Sequence, residues 1–190
     1  MVGADAIGSP PSPALVDKAK HIRVLVTDVD GVWTDGRLFY FPGPQGDLIE
    51  TKGSAALDGQ ALRWWHAAGH VSGVISGRDA PGITHRCQML GVSHIYQGHL
   101  DKIEPWEEIC AATGAAEDEI CYMGDDLPDT PLLRRAGLGV AVENARLEVK
   151  SVADYVTATP GGQGALREVI ELIMKARGEW VAVLAKYGLE

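Results

Sequence analysis

Apolar residues along the chain come in short runs parted by polar turns, and two spacings alternate. Residues 22–27 are a β-branched-rich run ending in Asp28, the pattern of a buried strand feeding a loop. Residues 37–41 and 47–51 are two further strand-like pieces joined by Pro42-Gly43-Pro44-Gln45-Gly46, which predicts a β-hairpin. Residues 55–68 change to helical spacing, with Leu57, Ala61, Leu62, Trp65 and Ala68 on one side and Gly69 as the stop. Of the adjacent Trp64 and Trp65, only one can face the core. After that the pattern predicts strands at 71–75, 92–96, 119–123, 138–142 and 155–156. Helices are predicted at 81–90, 101–113, 129–136 and 164–177. Strands alternating with helices argue for an α/β fold, a parallel sheet covered by helices, with one inserted hairpin.

The ends of the chain read differently. The Gly/Ser/Pro-rich start predicts a disordered or loosely docked lead-in over residues 1–20, leaving 21–177 as one domain. In the tail, 178–190, Trp180, Val181, Leu184 and Tyr187 stand at roughly helical spacing, which predicts a short amphipathic helix packing on a subunit.

Composition narrows the function classes. With 190 residues and 46% hydrophobic content the chain can bury one substantial core. A net charge of −9 without a basic run argues against nucleic acid and anionic membrane surfaces as partners. No apolar run reaches transmembrane length. Cys87, Cys110 and Cys121 form no CxxC pair, as expected of core cysteines in a reducing compartment, so a cytoplasmic location is expected. The histidines make no metal-ligand spacing; His99, near Lys102, is the one placed to touch a ligand.

The chemistry gathers at the carboxyl ends of the predicted strands, where open parallel sheets bind ligands. Asp28 and Asp30 follow the first strand, Ser76 the second, and Asp125 and Asp126 the fourth, while Lys102 opens a helix. Alone, a DxD is commonly an acidic turn, Ser76 a helix cap and Lys102 a solvated surface group. Together they supply a nucleophile, an acid/base, a hydroxyl, a cation and metal-binding carboxylates. Phosphoryl transfer uses this set, because its catalysis is mostly positioning and charge neutralisation.

The phrases DVDGVWTDG, ISGRD, QGHLDK and GDDLPD, in this order, resemble the four motifs of the haloacid dehalogenase (HAD) superfamily. The similarity runs from about residue 22 to 177 and is greatest to the capless sugar-acid phosphatases, typified by 3-deoxy-D-manno-octulosonate 8-phosphate (KDO 8-phosphate) phosphatase. Further shared phrases are YQG, ADYVT and GGQGALREV. The resemblance implies a three-layer Rossmann-like fold and Mg²⁺-dependent hydrolysis of a sugar-acid phosphate, KDO 8-phosphate or a related nonulosonate 9-phosphate. It implies Asp28 as nucleophile, Asp30 as acid/base, and Ser76 and Lys102 on the phosphoryl oxygens. Mg²⁺ would be held by the Asp28 and Asp125 carboxylates and the Asp30 carbonyl, with Asp126 and Asp129 behind them. Only 48 positions separate Asp28 from Ser76 and 26 separate Ser76 from Lys102, too few for a cap domain. Relatives of this kind form homotetramers around inserted hairpins, a role that fits 36–52.

The family's substrate stretch reads Lys-x-Phe-Asn-x-Arg-Asp-Gly. Here Lys52, Asp58 and Gly59 are retained, while Ser54, Ala55 and Leu57 replace the aromatic, the amide and the cation. Losing the amide and the cation weakens the grip on a carboxylated leaving group by a few kcal/mol. Gly77, Arg78 and Arg86 complete the expected substrate contacts, the two arginines as carboxylate ligands. The alternatives are a phosphatase for another small sugar phosphate, or an idle HAD-like assembly module.

Overall fold

The computed structural model describes residues 11–189. Its centre is β1 (Val24–Thr27), four residues fully buried on both faces, as a central parallel strand must be. On one side β1 pairs with β4 (Val71–Ser76), which pairs with β5 (His94–Gln97). On the other it pairs with β6 (Ile120–Gly124), followed by β7 (Leu138–Ala141) and β8 (Tyr155–Val156). Every pairing in this six-stranded sheet is parallel, in the order β5-β4-β1-β6-β7-β8. Successive crossovers therefore leave β1 in opposite directions, which opens a crevice at its carboxyl end.

Helices cover the sheet. Helix α2 (Ala56–Ala67), α3 (Pro81–Leu90), α4 (Ile103–Thr113), α5 (Thr130–Arg135) and the short α6 (Leu147–Lys150) fill the crossovers. Helix α7 (Ala165–Ala176) packs on α2 with a buried stripe, Leu166, Val169, Ile170 and Ile173, spaced as one helical face. Each such side chain taken fully from water contributes about 1.5–3 kcal/mol. Between β1 and β4 lie only α2 and the hairpin β2 (Phe39–Pro42)/β3 (Leu48–Thr51), so the described residues contain no cap domain there.

Three features depart from the sequence reading, and the structure also gives the tail its seat. Part of the expected lead-in is helix α1 (Pro13–His21), capped by Ser12 and packed on α7 through Leu15 and Ala19; residues 1–10 lie outside the described residues. In α2 the buried face holds Asp58, Gly59, Ala61, Leu62 and Trp65, while Leu57 and Ala68 face outward. Asp58 is drawn inside because its carboxylate accepts the Arg167 N–H at 2.8 Å, capping the first turn of α7, whose donors have no partner within the helix. The tail forms the expected helix, α8 (Trp180–Ala185), and its seat is on its own chain: Trp180 meets Trp64 edge-on at 5.3 Å, and the Tyr187 hydroxyl accepts from Trp64 Nε1. Trp65 is the tryptophan given to the core. Finally, Cys110 is only half-buried, whereas Cys87 and Cys121 are core residues.

Candidate active site

Residues 28–36 turn sharply at the end of β1. The Thr34 hydroxyl organises this turn, donating to the Val29 carbonyl and accepting from the N–H groups of Gly31 and Gly36. Val29 points into the core. Gly31 has φ +93°, and the space a Cβ would need is filled by the Asp125 carboxylate, so glycine brings the β1 and β6 loops into contact.

Asp28, Asp30, Ser76, Gly77, Arg78, Lys102, Asp125, Asp126 and Asp129 line one open cleft of about 190 Å³ at the strand ends. Lys102 Nζ is buried in it, 2.6 Å from both Asp28 Oδ1 and Asp129 Oδ1. Burial pulls its pKa down, but the Asp28 and Asp129 charges outweigh that and raise it, so the lysine stays a cation. Asp129 is itself saturated: Tyr122 OH donates to its Oδ1 at 2.7 Å, and the Asp125 and Asp126 N–H groups donate to its Oδ2. It holds Lys102 and the β6 loop in place. Asp126 is exposed and caps the turn at Leu127.

Carboxylate oxygens of Asp28, Asp125 and Asp129 come within 4.8 Å of one another, and because Asp129 is taken up by its own hydrogen bonds, Asp28 and Asp125 are the two left to face a cation. Burial, then the neighbouring carboxylates Asp28 and Asp129, pushes Asp125 up to about 8. Burial likewise raises Asp28 to about 6, against the pull of Lys102. Carboxylates held this close and this dry suit a hard divalent cation, which would remove the strain that lifts their pKa values. The residues fit Mg²⁺.

Asp30 turns away from this group. Lys52 Nζ lies 2.7 and 2.8 Å from its two oxygens and 3.3 Å from Glu50 Oε1, with its side chain almost fully buried. Glu50 in turn binds Arg78 at 2.6 Å and accepts from Tyr40 OH at 3.0 Å. These contacts with Arg78 hold Glu50 low, at about 2. The close DxD pair therefore does not share a cation: each carboxylate has its own lysine.

Of the expected substrate contacts, Gly77 and Arg78 line the cleft, and Lys52 reaches Asp30. Asp58 and Gly59 do not come to the cleft; Asp58 caps α7, and Gly59 lies against the Arg86 guanidinium. Arg86 lines a neighbouring groove with Glu50, Lys52, Ser54 and His85. Tyr122 was missed because, inside a buried strand, it reads as core; its place two residues before the Gly124-Asp125 turn is the only hint.

A family model for haloacid dehalogenase-like hydrolases matches residues 72–169. The 3-deoxy-D-manno-octulosonate 8-phosphate phosphatase KdsC of Salmonella typhimurium is 38% identical over 170 residues, 90% of this chain and 88% of the relative. The chain belongs to the haloacid dehalogenase-like hydrolases. Among solved members, 3-deoxy-D-manno-octulosonate 8-phosphate phosphatase from Moraxella catarrhalis, in complex with magnesium ion, phosphate ion and KDO, superposes with a TM-score of 0.85. It has 38% identity and covers 91% of this chain and 97% of its own. The cobalt-bound deoxy-D-mannose-octulosonate 8-phosphate phosphatase from Haemophilus influenzae gives 0.81 at 34% identity, covering 91% and 99%. This hydrolase is a phosphatase with a Mg²⁺ site. None of its described helices is long and apolar enough to cross a membrane.

Proposed function

We propose that the enzyme hydrolyses a sugar-acid phosphate, KDO 8-phosphate or a related nonulosonate 9-phosphate, through an aspartyl-phosphate on Asp28. The observation that carries this reading is the Asp28 carboxylate at the end of β1, paired at 2.6 Å with the buried Lys102 and facing Asp125. The chemistry of the named relatives supplies the substrate class.

In this reading an Asp28 oxygen attacks phosphorus, and the bond from phosphorus to the sugar oxygen breaks. Asp30 gives its proton to the departing oxygen. Its carboxylate then takes a proton from water, whose oxygen attacks phosphorus and releases phosphate and Asp28. Lys102 and the Ser76 hydroxyl hold phosphoryl oxygens as charge builds on them. The carboxylates of Asp28 and Asp125 and the Asp30 carbonyl would hold Mg²⁺, whose charge would offset that of the phosphoryl group. Arg78 stands at the cleft mouth, where a carboxylated leaving group would lie.

An open cleft screens its leaving group poorly unless something covers it. Phe39, Tyr40, Phe41, Leu48 and Ile49 on the hairpin are all about half exposed or more, a patch that supports a homotetramer built on hairpin contacts. The acidic, reduced-cysteine chain also supports a cytoplasmic enzyme.

Phosphate release measured over KDO 8-phosphate, a nonulosonate 9-phosphate and neutral sugar phosphates tests the reading, with EDTA and Asp28→Asn as controls. The expected result is a highest kcat/KM on a carboxylated sugar, abolished by both controls. A best substrate without a carboxylate refutes the sugar-acid assignment. No release above the Asp28→Asn background on any substrate favours the idle module.

A further inference from the structure

We infer that Asn144 is a positioning residue: its amide, with the backbone of Gly161 and Gly162, clamps the catalytic turn and sets the direction of the Asp30 carbonyl. The inference rests on the phosphatase reading for its consequence in turnover, but its geometry stands apart from any substrate.

Asn144 lies just beyond β7, outside the motifs that mark the site. Its Nδ2 donates to the Gly31 carbonyl at 3.1 Å, and its Oδ1 accepts the Gly161 N–H at 2.6 Å. One partner can only accept and the other only donate, so the amide has a single orientation that satisfies both. Next to it, the Gly162 N–H donates to the Val32 carbonyl at 3.0 Å. Two successive carbonyls of the turn are thus held from outside it.

The approach is close. A Cβ on Gly161 would collide with the Gly31 carbonyl oxygen, and one on Gly162 with the backbone of Thr34 and Asp35. On the other side of Gly31, its N–H faces the Thr34 hydroxyl at 3.4 Å. The peptide planes before and after Gly31 are therefore both restrained. The plane before it carries the Asp30 carbonyl, the main-chain group assigned above to the metal. Gly31 also vacates the volume that the Asp125 carboxylate fills. Rotation at Gly31 would move the carbonyl and disturb the carboxylate at once; Thr34 restrains the plane before Gly31 from within the turn, and Asn144 restrains the plane after it from outside.

A plain loop tie would use the same hydrogen bonds but would not report on the metal. The two roles separate when binding is measured directly. Full-length Asn144→Ala, stripped with EDTA, would be titrated with Mg²⁺ by calorimetry and with Mn²⁺ by electron paramagnetic resonance, alongside kcat, KM and thermal unfolding. Asn144→Ser, polar but too short to span both partners, serves as the milder second variant. The expected result is a metal Kd weakened about 10-fold or more and a kcat lowered by about 10–100-fold, with KM changed by less than about 2-fold. An unchanged metal Kd in folded variants, with only a lower unfolding temperature, overturns the inference. Should the wild type release no phosphate from any substrate, the phosphatase reading fails, while the metal titrations still decide the clamp.

Discussion

Replacing Asp125 by asparagine keeps the shape of the side chain and removes one charge from the carboxylate group around the metal site. In the folded protein Asp125 titrates at about 8, against 3.8 in an unfolded chain, because burial and the Asp28 and Asp129 carboxylates disfavour its charge. Between those values the folded state binds the extra proton, so stability is fully present at low pH and is lost as pH rises towards 8. At 1.36 kcal/mol per pKa unit, the interval from pH 5.5 to 8 represents about 3 kcal/mol. Water in the open cleft screens part of this, leaving about 1–2 kcal/mol. In a chain of this size that is roughly 2–8 °C of unfolding temperature. Asparagine carries no such titration. Unfolding followed by circular dichroism in EDTA should therefore show Asp125→Asn gaining on the wild type from pH 5.5 to 8.5. Saturating Mg²⁺ should reverse the order, since about 100-fold excess over Kd stabilises the wild type by about 2.7 kcal/mol and leaves the variant unmoved. Parallel pH curves for the two proteins, or equal stabilisation by Mg²⁺, would refute the electrostatic account of the site.

Two other outcomes follow from the same geometry. Lys102→Met leaves Asp28 and Asp129 buried without their cation, which should cost about 3–5 kcal/mol of stability in a denaturant melt and lower kcat by about 10²–10³. Charging the hairpin with Phe41→Asp and Ile49→Asp should shift the protein from tetramer to monomer in light scattering without lowering its unfolding midpoint at low concentration; a monomeric wild type would end the tetramer proposal.

Strand and helix spacing made β1, β6 and α7 readable, because each buries one apolar run or stripe that tertiary packing has no reason to override. The cleft was readable because strand ends convert sequence position into place: Asp28, Ser76 and Asp125 end neighbouring strands and so must meet. What escaped was decided by partners distant in sequence. Asp58 turned inward to serve the first turn of α7, over a hundred residues away, and displaced Leu57 from the buried face. Helix α1 looked like a loose lead-in because it follows a Gly/Ser/Pro-rich stretch and buries only Leu15 and Ala19; α7 supplies the surface that orders it. The tail was legible as a helix but not in its seat, since Trp64 offered a surface on the same chain.

The lysine assignment explains how two carboxylates two residues apart can do different work. Had both faced one cation, each would have been a ligand and neither free to move a proton. Instead the turn sends Asp28 towards Lys102 at the start of α4 and Asp30 towards Lys52 at the end of β3. Lys52 is buried and braced by Glu50, which also binds Arg78 and Tyr40, so the group that orders Asp30 is carried on the hairpin. The hairpin's outer residues are exposed and apolar, and its inner end touches the Asp30 carboxylate, the proposed acid/base. A contact that shifted β2 and β3 would reach Asp30 and Arg78 through Lys52 and Glu50, whereas Asp28, Lys102 and Asp129 stand at the end of β1 and the starts of α4 and α5 and are tied to one another. In the proposed mechanism, assembly through the hairpin would therefore act on proton transfer at Asp30 and on leaving-group recognition by Arg78 rather than on Asp28 and the carboxylates beside it.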